Sequence, residues 1–385
     1  MNVLVLGSGL MGKAIVFDLQ QQTSFSQITL VDKNEQLLNH AKNFFTHQTH
    51  LDFYHRDVSD EKAMLPFFEN TDVVISAVPY LFNEQLTKLA IKTGCHFVDL
   101  GGNNEVVQKQ KNLSSQAKNR KITVIPDSGL APGLVSILTR HLVDEYDYVD
   151  TIKLRVGGLP LCPKDPWKYQ LVFSANGLIN EYVEDAIVLD HGSIKKIPSL
   201  TQCESINFPK PFGTLEAFST SGGCSRLPLT YKNKIGYLDY KTIRYPGHLN
   251  QIKPLFDLGL ASKQPININN KNVKPRDVLI RLFQSVFETE GEDVVLLKVI
   301  GEVLKENKKR LITFEMIDYF DRHTSLSAMM RTTGFPVSIT ADFLARKKIT
   351  SPGVFTPEEI IPSELFLQEL KKRNIVINKI VKDSQ

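Results

Sequence analysis

The sequence predicts an α/β chain: a doubly wound parallel sheet in its N-terminal third, followed by an α+β domain. Three observations carry this. From residue 2 to residue 130 short apolar runs alternate with amphipathic segments. After residue 150 the runs turn β-branched and aromatic, with Gly, Pro and Asn between them. A chain of 385 residues also exceeds what one hydrophobic core usually serves, so two domains are expected.

The runs NVLVLG (2–7), QITLVD (27–32), HLDFYH (50–55), DVVISAV (72–78), CHFVDLG (95–101) and ITVIPD (122–127) read as strands. Helical stretches such as GKAIVFDLQQQ and NEQLTKLAIKTG fall between them, which is the pattern of βαβ units. Farther on, TIKLRVGGLP, AIVLDHG and LDYKTIRYPG suit an antiparallel or mixed sheet, and DVVLLKVIGEVL and RLITFEMIDYF flank KENKK as a hairpin. From residue 326 the pattern is helical again, and PEEIIPSELFLQELKKRN opens on a helix-start proline. The expected plan is a first domain of residues 1–130 completed by C-terminal helices within 331–385, with residues 131–330 forming the second domain.

Composition removes several classes. A formal charge of +4 is a small excess, and its denser patches, KENKKR (305–310) and KKR (371–373), read as solvated faces with no nucleic-acid partner. No apolar run approaches the ~20 residues a membrane span needs. The first strand begins at Asn2, leaving no room for a leader, so a cytoplasmic protein is expected. Cys95, Cys162, Cys203 and Cys224 form no CxxC pair, so reduced thiols are expected and neither a zinc site nor a disulfide framework.

The segment GSGLMG (7–12) follows a strand and opens a helix. Gly7 allows the tight turn, Gly9 lets backbone approach a pyrophosphate, Gly12 lets helix and strand close up, and the helix start at Leu10 and Met11 attracts the anion. Asp32 stands 20 residues beyond Gly12, at the end of the second predicted strand, where a carboxylate bonds a ribose 2′-hydroxyl. The context predicts a Rossmann domain. Asp32 would repel a 2′-phosphate, which favours NAD over NADP, with Lys33 beside it tempering the preference. Asp57 and Val58, past the third strand, are candidates for the adenine; Asp57 is equally a helix N-cap.

Ligands in such sheets sit beyond the carboxyl ends of the strands. Those ends place Val78, Pro79 and Tyr80 after the fourth strand, Asp99 after the fifth, and Asp127 with a Gly-rich run after the sixth. Any of them suits the nicotinamide end. Asp99 and Asp127 are also ordinary turn carboxylates, Asp127 the more so beside Ser128 and Gly129.

The stretch LDYKTIRYPGH (238–248) asks why a strand should carry so much charge. Period two puts Tyr240, Thr242 and Arg244 on one face and Asp239, Lys241 and Tyr245 on the other. Arg244 then forks onto a carboxylate beside the Thr242 hydroxyl, the geometry of an amino-acid clamp. The plainer reading is a surface strand on which Asp239 pairs with Lys241 or Arg244. His248 by itself is more often structural than catalytic.

VLVLGSGLMGKA, VDLGG, PDSGLAPGL, VGGLP, FGTLEAFSTSGG, YKTIRYPGH, VKPRDVL and MMRTTGFPVSITADFLARKKITSPGVFTPEEIIP together resemble the saccharopine-dehydrogenase-like family, most closely its L-lysine 6-dehydrogenase branch, from residue 2 to residue 375. The resemblance implies a central domain that forms the substrate pocket and a homodimer or higher interface. It places Thr242, Ile243 and Arg244 at the substrate carboxylate, with Leu100, Ala131 and His248 near the substrate, and Leu130, Pro132 and Ser174 beside the cofactor. Saccharopine-reducing members typically show Leu-Asp-Pro-Gly where this chain has Leu130, Ala131, Pro132 and Gly133, and Asn-Arg-Asp near Thr220, Ser221, Gly222 and Gly223. Both departures argue for L-lysine. The implied reaction is NAD-dependent oxidative deamination at the ε-carbon of L-lysine, giving a 6-semialdehyde that cyclises. Asp99 is the first choice for the base, with Tyr80, Lys241 and His248 as alternatives. The rival expectations are a saccharopine reductase or carboxynorspermidine dehydrogenase acting on a condensed amino acid, and a non-catalytic NAD-binding protein.

Overall fold

The computed structural model describes residues 1–45, 50–287 and 291–383. The chain divides into two units, Met1–His141 with Met330–Ile375, and Leu142–Met329 with Val376–Gln385.

In the first unit, β1 (Asn2–Leu6), β2 (Gln27–Asp32), β3 (Leu51–His55), β4 (Val73–Ser76), β5 (His96–Asp99), β6 (Thr123–Ile125) and β17 (Gly353–Val354) form one sheet in the order β17-β6-β5-β4-β1-β2-β3. Every pairing is parallel. A sheet covered on both faces needs strands that are apolar throughout, and β4 (VVIS) is buried at all its positions. Leu4, Leu6, Val74 and Phe97 share one core with Met64, Phe68 and Leu86 from the flanking helices. The strand order reverses between β1 and β4, so the crevice beyond their carboxyl ends is the switch point where such sheets take ligands.

The C-terminal helices complete this unit. Helix Ala328–Ala345 crosses helix Leu10–Leu19 so closely that a Cβ on Gly334 would stand 2.7 Å from that of Ala14. Buried Asp18 accepts hydrogen bonds from Ser338 Oγ and, at 2.7 Å, from Arg373 Nε, and Arg373 also donates to Glu369 at 2.8 Å. The boundary expected at residue 130 falls at His141, because the helix that opens at Leu134 stays with the first unit that far. The expected helical tail ends at Ile375: residues Asn378–Asp383 are instead a strand, β18, of the second sheet.

In the second unit, β7 (Tyr148–Pro160), β8 (Ala186–Asp190), β9 (Ser193–Ile197), β10 (Thr201–Phe208), β11 (Gly213–Ser219), β12 (Tyr237–Arg244), β15 (Asp293–Lys305), β16 (Lys308–Tyr319) and β18 build a nine-stranded mixed sheet in the order β10-β11-β12-β7-β15-β16-β18, with β8 and β9 branching from β12. Only β12 and β7 run parallel within it. A separate hairpin joins β13 (Ile266–Ile268) to β14 (Lys271–Val273). The expected β15–β16 hairpin closes on Glu306 and Asn307, whose φ values of 51° and 59° are those of a two-residue primed turn.

Alternation along β11 and β12 sorts the sheet's two faces. Ile243, Leu215 and Ala217 pack with Leu159 and Leu296 on one side, whereas Phe218, paired across from Thr242, packs with Tyr169, Tyr182 and Leu249 on the other. Arg244 is carried on the second of these faces.

Within the first unit, Arg373→Ala leaves Asp18 buried without its cation, while Glu369 keeps Lys372 at 2.8 Å, and should lower stability by about 3 kcal/mol in urea unfolding. A loss below about 1 kcal/mol would show that this ion pair does not hold the C-terminal helices in place.

Candidate functional site

The glycine loop separates what the chain needs for itself from what it leaves free. Gly7 has φ +99°, and a Cβ there would sit 2.9 Å from Ala77 O; a Cβ on Gly12 would stand 1.7 Å from Gly7 O. Both glycines are demanded by the strand–helix packing. A Cβ on Gly9 would meet nothing within 4 Å. Gly9 precedes helix Leu10–Leu19, whose N-terminus has no side-chain cap, so open space lies before a set of unbonded amides. That is a cradle for an anion such as a pyrophosphate. Leu10 is exposed and Met11 half-buried beside it.

Asp32 closes the loop from β2. Its Oδ2 accepts from Ser8 N (2.6 Å) and Ser8 Oγ (2.9 Å), and its Oδ1 from Asn34 N (2.7 Å). Lys33 reaches Asp57 at 3.9 Å. Asp57 is not the helix cap: it accepts from Ser59 N in a local turn, and Asp60 caps helix Glu61–Glu69 through Ala63 N. Val58 is buried in the core of this unit, so its side chain is not a free adenine contact.

At the strand ends, Val78 is half-buried with its Cγ1 toward Gly7, Pro79 is exposed, and the Tyr80 ring lies against the α-carbon of Gly102. Asp99 is enclosed. Its Oδ1 accepts from Gly101 N (2.7 Å) and its Oδ2 from Gln110 Nε2 (2.7 Å), with no exposed surface. Burial pushes its carboxyl up to about 6, against the pull of Gln110 and the Gly101 and Asp127 amides. The geometry therefore makes Asp99 the organiser of this turn, which also fixes Ser128 N on Asp99 O at 2.8 Å. Asp127, at φ +61°, packs its carboxylate on Gly101. Leu130 and Pro132 are buried, and Leu100 and Ala131 half-buried.

In the second unit Arg244 is 3% exposed and sits in an aromatic box. Its guanidinium carbon lies 4.9 Å from the Tyr169 ring centroid and 5.9 Å from that of Tyr182. Arg244 Nε donates to Tyr182 Oη (3.0 Å) and Nη1 to Ile243 O (2.8 Å). Tyr182 Oη pairs with His248 Nε2 at 3.1 Å, and His248 Nδ1 with Trp167 O at 3.4 Å. With a neutral imidazole one direction satisfies this chain: the guanidinium donates to the tyrosine, the tyrosine to Nε2, and Nδ1–H to the carbonyl. Burial, followed by the Arg244 charge, pushes His248 down to about 3, so the imidazole is neutral and buttresses Tyr182.

No carboxylate pairs with Arg244 among the described residues. Glu216, directly across the strand pair, spends its oxygens on Gly247 N (2.9 Å) and Leu249 N (2.7 Å). Two polar groups near Arg244 are left over. The Tyr169 hydroxyl is buried with no hydrogen-bond partner among the described residues, and the half-buried carboxylate of Glu181, on helix Ala175–Val183, has none either. Burial pushes Glu181 up to about 7, opposed by Arg244.

Three expected site residues stand apart. Lys241 is on the other face of β12, bonded to Glu204 (2.6 Å), which also holds Arg155; Arg155 in turn grips Asp239 at 2.7 and 2.9 Å. Asp239 thus pairs with Arg155 instead of Lys241 or Arg244. Ile243 points its side chain into the apolar cluster on that same face, so only its carbonyl serves the box. Ser174 caps helix Ala175–Val183 through Gly177 N. Thr242 Oγ1 leans on Val156 O at 3.4 Å, beside Arg244 as expected. Tyr169, Tyr182 and Glu181 escaped the sequence reading: their segment shows only a helical apolar period, and the contacts with Arg244 span more than 60 residues of chain.

Residues 3–125 match the family model "Saccharopine dehydrogenase NADP binding domain" and residues 129–376 the model "Saccharopine dehydrogenase C-terminal domain". The chain belongs to the saccharopine dehydrogenase family. By that membership it is an oxidoreductase of the amino-acid dehydrogenase kind with a dinucleotide-binding domain. It is 22% identical to saccharopine dehydrogenase [NADP(+), L-glutamate-forming] of Saccharomyces cerevisiae over 97% of both chains. It is 24% identical to the mitochondrial alpha-aminoadipic semialdehyde synthase of Bos taurus, over 68% of this chain and 28% of that one. Among solved structures, the apo saccharopine dehydrogenase (L-Glu forming) of S. cerevisiae superposes with a TM-score of 0.80 at 20% identity over 99% of both chains. Homospermidine synthase of Legionella pneumophila, in complex with NAD, gives 0.70 at 13% identity over 100% of this chain and 92% of that one. These two likenesses speak for the fold.

Gly9→Ala should keep the protein's stability within about 1 kcal/mol, since the methyl meets no protein atom. It should weaken dinucleotide binding at least about tenfold, measured by cofactor fluorescence titration, because the methyl stands where the phosphate approaches. Unchanged binding would move the cofactor elsewhere.

Proposed function

We propose that the chain is an NAD-dependent dehydrogenase that oxidatively deaminates the ε-amine of L-lysine. The observation that carries this is the Arg244 box: a buried guanidinium held by Tyr182, Ile243 O and two aromatic rings, with no carboxylate paired to it among the described residues. A buried cation so held calls for an anionic ligand, and a planar fork suits a carboxylate. Asp32, at the end of β2, suits a free ribose 2′-hydroxyl and disfavours a 2′-phosphate.

The first unit would hold the dinucleotide at Gly9, Leu10, Met11 and Asp32, with Val78 and Pro79 along the strand end. The bound dinucleotide supplies a hydride acceptor for the ε-carbon. Arg244 would fix the α-carboxylate and so the reach of the side chain. The ε-amine must be neutral to lose hydride, so a base takes its proton. Asp99, raised to about 6, has the proton affinity for that task, but its enclosed oxygens require a relay; Tyr80 stands half-buried at the neighbouring strand end. Water then adds to the iminium carbon, and ammonia leaves as the aldehyde forms and cyclises on the α-amine. The central domain would also support a homodimer, in a cytoplasmic enzyme.

A second reading has specific support: the relatives named above include saccharopine dehydrogenases that use NADP(+) and form L-glutamate. In that reading the same Arg244 box takes the lysyl head of a condensed amino acid. Ala131, standing where such enzymes typically carry Asp, and Thr220, Ser221, Gly222 and Gly223, near where they carry Asn-Arg-Asp, weigh against the additional carboxylates.

NADH formation with purified protein decides between them: L-lysine with NAD should be turned over at least about tenfold faster than L-saccharopine or than L-lysine with NADP, with release of ammonia. Turnover of saccharopine alone would move the chain to the second reading. Arg244→Ala should raise KM for lysine about a hundredfold and leave NAD affinity within about twofold; unchanged lysine kinetics would remove the box from the substrate site.

A further inference from the structure

We propose that Glu181 and Tyr169 complete an amino-acid receptor around Arg244, with Glu181 accepting the substrate's α-ammonium while Arg244 takes its carboxylate. The inference rests on the reading of Arg244 as the carboxylate site and deepens it into a requirement for a free α-amine.

Three features of the second unit carry it. The Glu181 carboxylate feels Arg244 and the hydroxyls of Tyr169, Tyr182 and Tyr240, yet closes no ion pair with Arg244 and accepts no hydrogen bond among the described residues. A negative and a positive group held close to each other without contact leave room for a ligand of the opposite order, and an α-amino acid carries carboxylate and ammonium on one carbon. Its backbone is fixed for the purpose: Glu181 O accepts from Ser221 N at 3.0 Å, and the next residue, Tyr182, is the one that holds Arg244 Nε. The second feature is the Tyr169 hydroxyl, buried on a residue 4% exposed and left unbonded beside the guanidinium its ring faces. A buried hydroxyl without a partner is costly unless a ligand supplies one. The third is the contrast with Glu216. That carboxylate lies across the strand pair from Arg244 but is consumed by the amides at the start of helix His248–Asp257, so it does not compete for the ammonium.

The α-ammonium would thus trade water for a charge-assisted hydrogen bond to Glu181. A neutral carboxyl serves an ammonium poorly; the charge of the arriving ammonium draws the raised Glu181 toward its ionised form.

The test compares L-lysine with 6-aminohexanoate, which keeps the carboxylate and the ε-amine and lacks the α-amine. L-lysine is also the lysyl part of saccharopine, so its binding probes the receptor under either substrate reading. Calorimetric titration of the wild type loaded with NADH, which cannot accept hydride, should show L-lysine bound about thirtyfold more tightly than 6-aminohexanoate. Glu181→Gln should close that gap to within about threefold by weakening L-lysine alone, and Glu181→Asp should keep part of it. A gap that persists in Glu181→Gln, a parallel loss of both ligands, or a wild type that does not bind L-lysine overturns the receptor. Binding that follows this pattern without NADH formation keeps the receptor and removes lysine as the substrate; NADH formation with an unmoved gap does the reverse.

Discussion

A buried guanidinium with which no carboxylate pairs among the described residues is the constraint around which the second unit is built. Taking a cation out of water costs several kcal/mol unless its surroundings replace the lost hydration. At Arg244 the replacement is partial: one tyrosine oxygen, one backbone carbonyl and two π faces, the last worth about 0.5–2 kcal/mol each. Burial and the Arg244 charge keep the His248 imidazole neutral, so no second cation competes, and the neutral ring can accept from Tyr182 while it donates to Trp167 O. Most of what surrounds Arg244 serves to orient it and little of it to neutralise it.

The opposite face of the same strand shows what a satisfied charge looks like in this fold. Arg155 is buried as deeply as Arg244, yet it grips Asp239 with two nitrogens and Glu204 with a third, and Lys241 completes the network. The two faces of β12 differ in one respect that matters: one is closed electrically by the protein, the other is left for a ligand. A similar contrast divides the glycine loop, where Gly7 and Gly12 are required by packing and Gly9 borders open space before an uncapped helix.

Much of this was legible in the sequence because it is local. Apolar runs of the right length gave the six parallel strands, GSGLMG and Asp32 fall where a dinucleotide domain puts them, and period two separated Arg244 from Lys241 correctly. The misreadings have physical causes. Ser174 and Asp57 are polar residues near helix starts, where capping and turn roles compete with ligand roles; Ser174 caps, and Asp57 yields the cap to Asp60. For Asp99 the strand-end position was legible, and the enclosure of its oxygens by burial and two donors was not. The residues that surround Arg244 come from helix Ala175–Val183 and the loop before it, and only tertiary packing brings them there.

The most direct test of the central claim uses the wild-type protein and a substrate stripped of its anion. Turnover of L-lysine is compared with that of cadaverine, which has the same reacting amine and no carboxylate. If Arg244 receives the carboxylate, kcat/KM for cadaverine falls at least about a hundredfold, chiefly through KM. Equal kcat/KM for the two would contradict the account, leaving the buried cation a structural feature and the substrate held by other means.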